Sequence, residues 1–160
     1  MKSILAIPIT LFMSLLLAHP AFPHCEIPCG IYGDEMRFDM IDEHITTIEK
    51  AMNQITELSK AGDKNYNQLV RWIGNKEDHA KEVQHIVYQY FMTQRVKSAD
   101  EKDAENYKKY VKQITLLHQM LVYAMKAKQT TNLENVARLR SLLEEFRIAY
   151  FGPGYEKHVH

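Results

Sequence analysis

Beyond residue 35, apolar residues recur at alternating intervals of four and three along the chain. The first such stripe consists of Ile41, Ile45, Ile48, Met52 and Ile55. This spacing places apolar side chains on one face of an α-helix. We therefore predict a first helix from about residue 35 to residue 60, and we expect it to end near Gly62 because glycine is the usual C-terminal stop.

Three further helices follow from the same pattern. The second is predicted from about residue 63 to residue 97, with a restart after Gly74 that Asn75 can cap. The third runs from about residue 100 to residue 128, and the fourth from residue 131 or 132 to Gly152. Their expected apolar positions are Leu69, Val70, Trp72, Ile73, Val83, Ile86, Val87, Tyr90, Phe91, Tyr107, Tyr110, Val111, Ile114, Leu117, Leu121, Met125, Val136, Leu139, Leu143, Phe146 and Tyr150. Four long amphipathic helices with short connections predict an all-α fold, an antiparallel four-helix bundle.

The first 18 residues have a different pattern. Lys2 is followed by an apolar run from Ile4 to Ala18, and the segment contains no acidic residue. This is typical of a secretory signal peptide, whereas a membrane span needs about 20 apolar residues. Cleavage after Ala18 or Ala21 would leave residues in front of His24, so we expect either a further trimming step after Pro23 or a dedicated processing protease that cuts there directly.

These patterns divide the chain into four segments. Residues 1–23 are the predicted removable leader, residues 24–34 form a segment that we call the hook, residues 35–151 form the bundle, and residues 152–160 form a tail. The 20 Lys and Arg residues are balanced by 20 Asp and Glu residues, which argues against a basic nucleic-acid-binding face. We expect no stable membrane association once the leader is removed.

Histidines in the predicted bundle offer weaker candidates for a metal site. Glu82 and His85 form one Glu-x-x-His pair, but a di-iron bundle needs two such pairs and two more glutamates. His44, His79 and His118 lie on different predicted helices, where a hydrogen-bonded or surface role is the more common one.

The hook is denser in metal-binding groups. It holds both cysteines of the chain, Cys25 and Cys29, directly after His24, with Pro28 and Gly30 shaping the loop. A structural zinc site usually draws four ligands from two separated pairs, and the chain has no second cysteine pair. If His24 becomes the first residue, its amine, the Cys25 amide and the two thiolates can chelate in one plane. Planar nitrogen donors with soft thiolates indicate Ni(II) or Cu(II), and the His24 imidazole is free to approach along the axis.

The hook closely resembles the N-terminus of the nickel superoxide dismutase family, which begins His-Cys-x-x-Pro-Cys-Gly-x-Tyr. The matching residues here are His24, Cys25, Pro28, Cys29, Gly30 and Tyr32. The resemblance implies a homohexamer of helical bundles with one nickel ion per subunit. It implies ligation by the His24 amine and imidazole, the Cys25 amide and thiolate, and the Cys29 thiolate.

The same resemblance suggests roles for residues around the metal. Tyr32 would lie above the open face of the nickel and hold water or substrate. Tyr90, in the Tyr90-Phe91 pair, would lie near Tyr32 at the mouth of the site. In the family a glutamate braced by an arginine fixes the axial imidazole, but Ile41 and Asn75 occupy those positions here, and Glu43 is a candidate substitute.

The expected function is dismutation of superoxide into dioxygen and hydrogen peroxide. Two thiolates and an anionic amide favour oxidation of the nickel, so we expect cycling between Ni(II) and Ni(III), with protons delivered through water near Tyr32. Two alternatives stay open: an exported helical interaction module with a Cys25–Cys29 disulfide, or a protein that delivers nickel or copper without turnover. The leader predicts export to the periplasm, with a cytoplasmic location as the alternative if the leader is a dedicated pro-sequence.

Overall fold

The structure is a computed structural model that describes residues 30–155, without the side chain of Asp63. Helix α1 spans Asp34–Ser59, and a 3₁₀ turn at Gly62–Asn65 leads into α2 at Tyr66–His85. The chain continues from α2 as a π-helix, Ile86–Arg95, followed by α3 at Ala104–Gln129 and α4 at Leu133–Phe151. Residues 30–155 contain no strand. The chain divides into two compact units, Met1–Tyr32 and Gly33–His160, and all of these helices belong to the second.

Side-chain contacts give the direction of each helix. Residue numbers rise along one helix as they fall along its neighbour in the contacts Phe38–Phe91 and His44–His79, Lys76–Lys128 and Gln84–Leu121, Gln113–Ala149 and Gln119–Arg138, and Phe38–Phe146 and Asp42–Arg140. Such pairing requires opposite directions for neighbouring helices. The predicted all-α fold, an antiparallel four-helix bundle, is confirmed.

The core is built around the predicted stripes of α1 and α4. Ile41, Ile45, Ile48 and Met52 on α1 are fully buried, as are Leu139, Leu143 and Phe146 on α4. The aromatic centre is Phe38, whose ring lies 4.8 Å from that of Phe91 and 5.3 Å from that of Phe146. Offset and tilted aromatic pairs at these separations stabilise a core beyond the area that they bury. This cluster packs the first turns of α1 against the π-helix and the end of α4.

The predicted apolar face of α2 is wrong in its first half. Val70 is 66% exposed and Ile73 is 41% exposed. Around a helix, the positions from Leu69 to Ile73 that we assigned as apolar span about 160°, which is wider than the stripe of about 100° that a neighbouring helix covers. The restart predicted at Asn75 is also wrong, because α2 runs without a break past Gly74.

In α3 the buried face is rotated from the predicted one. Leu117 is buried as expected, but Val111 and Met125 are each 42% exposed. The buried positions are Gln113, Leu116, Leu117, Met120, Ala124 and Ala127. Two of them are alanines, whose small side chains carry little weight in a pattern of large apolar residues. The buried face of α3 therefore includes small residues, which a pattern of large apolar residues does not indicate.

A buried lysine joins α2 to the end of α3. Lys76 is 4% exposed, and its Nζ donates hydrogen bonds to the carbonyl oxygens of Lys128 and Thr130. These carbonyls lie at the C-terminus of α3, where four backbone acceptors lack intrahelical partners. Burial lowers the pKa of Lys76 from its usual value. The ammonium group thus satisfies helix-end acceptors that would otherwise be unpaired.

His44 on α1 and His79 on α2 form a hydrogen-bonded pair, with 2.8 Å between their Nδ1 atoms. Both rings are half-buried, so the expectation of a hydrogen-bonded role is confirmed. His118, the third histidine in that set, is exposed on α3. Among residues 30–155, no helix is long and apolar enough to cross a membrane.

The histidine pair predicts a fall in stability at acidic pH. Burial and the nearby His79 lower the pKa of His44 below its usual 6.5, against the opposing charges of Glu82 and Glu43. Because the unfolded chain then binds the proton more readily, this contribution is present above pH 6.5 and is lost as the pH falls below it. We expect His44→Gln to flatten this part of the pH dependence, measured as the urea midpoint on both sides of that pH. His118→Gln is the matched control and should keep the wild-type slope, and an unchanged slope in His44→Gln would contradict this account.

Candidate metal centre

The predicted nickel ligands His24, Cys25 and Cys29 lie outside the described residues. The described part of the hook begins at Gly30, whose φ of 74° is in the left-handed region that favours glycine. Tyr32, the predicted catalytic tyrosine of the hook, is 46% exposed. Within residues 30–155, no group of three or more His, Cys, Asp or Glu side chains is placed to hold a metal ion.

The hook is joined to the bundle at the first residue of α1, Asp34. The side chains of Asp103 and Asn132 accept backbone hydrogen bonds and so cap α3 and α4. At the start of α1 the capping position is Gly33, which has no side chain to serve in this way. The start of α1 is instead fixed by contacts that the Asp34 side chain makes with other helices.

Four side chains form what we call the Asp34 cluster: Asp34, Tyr90, Arg95 and Tyr150. Arg95 binds the carboxylate in a bidentate manner, with Nε 2.8 Å from Oδ1 and Nη2 2.7 Å from Oδ2. Tyr90 donates its hydroxyl hydrogen to Oδ1 at 2.7 Å, and Tyr150 donates to Oδ2 at 2.9 Å. Each carboxylate oxygen therefore accepts two hydrogen bonds, which links α1 to the π-helix and to α4.

The π-helix explains how Tyr90 and Arg95 reach the same carboxylate. Residues five positions apart in an α-helix lie about 140° apart around the axis. In a π-helix the backbone hydrogen bonds join residues five apart, and the amide of Val96 donates to the carbonyl of Phe91 at 2.8 Å. The wider turn therefore brings Tyr90 and Arg95 onto one face. π-Helical turns are rare and occur frequently at functional sites. The segment therefore indicates that the cluster has a functional role in addition to packing.

The cluster holds Asp34 ionised and its tyrosines neutral. Burial alone raises the pKa of the Asp34 carboxyl, but the hydrogen bonds from Arg95, Tyr90 and Tyr150 outweigh burial and leave the pKa below its usual value. Burial and the bond to Asp34 raise the pKa of Tyr150 to about 12, and the same two causes raise the pKa of Tyr90. At neutral pH the cluster therefore consists of one carboxylate, one guanidinium cation and two neutral phenols, each with a defined hydrogen-bond role.

The cluster borders a cleft of about 660 Å³. Asp34, Arg95 and Tyr150 are among its lining residues, and the segment between the π-helix and α3 contributes several others. The side chains of Arg95 and Asp34 are 24% and 20% exposed, so they are largely but not fully removed from solvent. Solvent screening is therefore reduced at this ion pair compared with a surface pair.

Tyr90, the second predicted catalytic tyrosine, is 2% exposed, and its hydroxyl is directed to Asp34. The Arg37 guanidinium lies 5.1 Å from the centre of its ring. Tyr32 belongs to the unit Met1–Tyr32 and Tyr90 to the unit Gly33–His160. Their predicted proximity, and a catalytic role for either, stays a prediction.

The residues at the expected brace positions have other environments. Ile41 is fully buried in the core, and Asn75 has a buried side-chain oxygen with no hydrogen-bond partner among the described residues. Glu43, the candidate substitute, has an exposed side chain. Ile41 has no polar side-chain atom, so this pair cannot form the glutamate–arginine brace of the family.

The sequence pattern predicts no functional role for Asp34, Arg95 or Tyr150. The pattern predicts Tyr150 only as an apolar position of the fourth helix, and an acidic residue in a first helical turn is common because it suits the helix dipole. The hydrogen bonds of the cluster join Asp34 to Tyr90, Arg95 and Tyr150, which lie 56, 61 and 116 residues further along the chain. They also depend on a π-helix that no propensity rule indicates. A single sequence therefore carried no signal for them.

Comparison with known proteins places the chain in a family. The sequence model of nickel-containing superoxide dismutase matches residues 19–153, which covers the hook and all four helices. No curated protein and no solved structure matches the chain. The match spans most of the chain and includes both cysteines and His24. The chain therefore belongs to the nickel-containing superoxide dismutase family.

Proposed function

We propose that the hook binds the nickel of this enzyme through His24, Cys25 and Cys29. Membership of the family makes the chain an oxidoreductase that has a nickel cofactor and superoxide as its substrate. The observation that carries the proposal is the donor set itself, because the two cysteines of the whole chain lie beside His24 within the matched region.

The chemistry of these donors fits nickel. The His24 amine and imidazole, the Cys25 amide and the two thiolates would supply three nitrogen and two sulfur donors for nickel. Bound nickel supplies one-electron chemistry between Ni(II) and Ni(III), which oxidises one superoxide to dioxygen and reduces the next to hydrogen peroxide. The chain's part is to provide the thiolates in deprotonated form and to hold all donors in one geometry.

Two tyrosines are proposed to act beside the nickel. Tyr32 follows the last cysteine by three positions and, by its resemblance to the family motif, holds water or superoxide at the open face. Its half-exposed side chain supports contact with solvent. Tyr90 is proposed to border the same opening. Its hydroxyl donates a hydrogen bond to the Asp34 carboxylate, which fixes the direction of the phenol.

Processing is proposed to create the site. The leader, residues 1–23, is removed by a protease that exposes His24, and its apolar run supports export to the periplasm. The mature chain is proposed to assemble as a homohexamer with one nickel per subunit. An exposed apolar stripe on α2, formed by Tyr66, Val70 and Ile73, supports burial of this surface in an assembly.

Analysis of the naturally processed protein tests the proposal. We expect N-terminal sequencing to find His24 first, metal analysis to find about one nickel per chain, and the sample to consume superoxide. A mature terminus at Phe22 would overturn the proposed ligand set. Oxidised cysteines without metal would support the disulfide-linked module, and nickel without superoxide consumption would support a delivery protein.

A further inference from the structure

We propose that Asp34 is a positioning residue for the nickel site, because its side chain fixes the point at which the hook joins the bundle. This inference rests on the proposed function of the hook. It goes further, because it assigns to Asp34, Arg95 and Tyr150 a part in the reaction that neither the hook motif nor the family match gives them.

The first step of the argument is the number of bonds made at one residue. The carboxylate of Asp34 accepts four hydrogen bonds from three side chains, and two of the four come from one guanidinium. Bidentate pairing of arginine with a carboxylate fixes orientation as well as distance. Because the donors lie on the π-helix and on α4, the first residue of α1 is held by two other elements of the bundle.

The second step is the position of Asp34 in the sequence. It lies five residues after Cys29, and Gly33 immediately before it has no side chain with which to fix the local backbone. The backbone at this junction is closed by one hydrogen bond, from the amide of Arg37 to the carbonyl of Gly33 at 3.0 Å. Nearby, Tyr155 donates a hydrogen bond to Glu35, so the C-terminal segment also contacts the first turn. Asp34 is therefore held by side chains of the π-helix and α4, and the next residue, Glu35, is held by Tyr155.

The third step concerns what a metal site at the chain terminus requires. Its ligands must keep their productive arrangement to within about 0.5 Å, and they do so only when supported by residues that are themselves locked in place. The predicted ligands all precede Asp34 in the chain, so this junction is the covalent link through which the bundle can orient them. The Asp34 cluster also sets the direction of the Tyr90 hydroxyl. Loss of the carboxylate charge is therefore expected to loosen the hook and free Tyr90 together.

The test compares Asp34→Asn with the wild-type chain beginning at His24, first without metal. Asparagine keeps the size of aspartate but removes the charge that binds Arg95. Hydrogen exchange of the Arg37 amide should become faster by about tenfold or more, while amides in the middle of α3 stay protected. Leu139→Ala is the matched control, since it opens a cavity at a fully buried position of α4 without touching the cluster. It should not speed exchange at Arg37 selectively.

The second arm uses the nickel-loaded proteins. Asp34→Asn should retain about one nickel per chain, show an altered electron paramagnetic resonance spectrum and turn over superoxide about 10–100-fold more slowly. Leu139→Ala should keep the wild-type spectrum. Tyr150→Phe removes a single hydroxyl. It should change the spectrum and slow superoxide turnover in the same direction as Asp34→Asn but to a smaller extent, so it provides a test if Asp34→Asn does not fold.

Unchanged Arg37 exchange, or an unchanged spectrum and turnover, in Asp34→Asn and Tyr150→Phe would overturn the positioning role. A wild-type chain that binds no nickel would refute the proposed function instead. In that case the exchange arm would still report whether Asp34 fixes the junction, so the two failures are distinguishable.

Discussion

Replacing either Cys25 or Cys29 by serine is expected to abolish both nickel binding and superoxide turnover. A serine hydroxyl is a harder donor than a thiolate and stays protonated at neutral pH, so it cannot supply the soft anionic sulfur that the planar site needs. Replacement of groups that only support a metal ligand typically costs about 10–100-fold in affinity or activity. Loss of a ligand itself should exceed that range. Nickel content after gel filtration and the rate of superoxide decay measure the two effects.

Glu26→Gln is the matched control for these variants. It lies between the cysteines at a position that the family motif leaves variable, and it should keep both nickel and turnover. Circular dichroism should show the same helix content in all three variants, because the first helix begins at Asp34, after both cysteines. A cysteine variant that still dismutes superoxide at the wild-type rate would refute the ligand assignment.

Retaining even one residue in front of His24 is expected to inactivate the enzyme. In a chain that begins at Pro23, the His24 nitrogen is an amide rather than a free amine, and one planar donor is lost. The thiolates and the imidazole remain, so the effect isolates the contribution of processing. We expect nickel binding to weaken and superoxide turnover to fall more than about a hundredfold. This exceeds the loss that follows removal of a group that only supports a metal ligand.

The comparison needs two chains that differ only in their first residue. A chain beginning at Pro23 and one beginning at His24 should have the same helix content and the same urea midpoint when free of metal, since the core lies in residues after Asp34. Removal of the extra residue by a protease should restore turnover. Equal activity of the two chains would show that the His24 amine is not a ligand.

The fold was largely predictable because a wide bundle core needs little more than periodic apolar residues. The stripes of α1 and α4 follow a strict alternation of three and four, and both are buried as predicted except at their last positions, Ile55 and Tyr150, which are half-buried. The prediction was wrong where the apolar residues left more than one buried face of a helix possible. In α2 the apolar residues from Leu69 to Ile73 cover more of the helix surface than one neighbouring helix can bury. In α3 two of the buried residues are alanines, which a pattern of large apolar residues does not include.

The site was predictable only in the part that is local in sequence. The hook places its donors within six consecutive residues, so their chemistry can be interpreted from the sequence alone. The Asp34 cluster joins residues from three helices, and its geometry depends on the π-helix at Ile86–Arg95. Neither long-range pairing nor the choice of a π-helix over an α-helix follows from the composition of a ten-residue segment. These contacts could be found only from the folded chain.

Nickel titration of the metal-free chain beginning at His24, with superoxide decay followed by stopped flow, tests the central claim most directly. If the hook forms the active centre, the rate of decay should rise in proportion to added nickel and stop rising at one equivalent per chain. Zinc, which has no redox chemistry, should give no comparable rate when it is added in place of nickel. Superoxide turnover by the metal-free chain, or a fully nickel-loaded chain no faster than free nickel ion, would contradict the account.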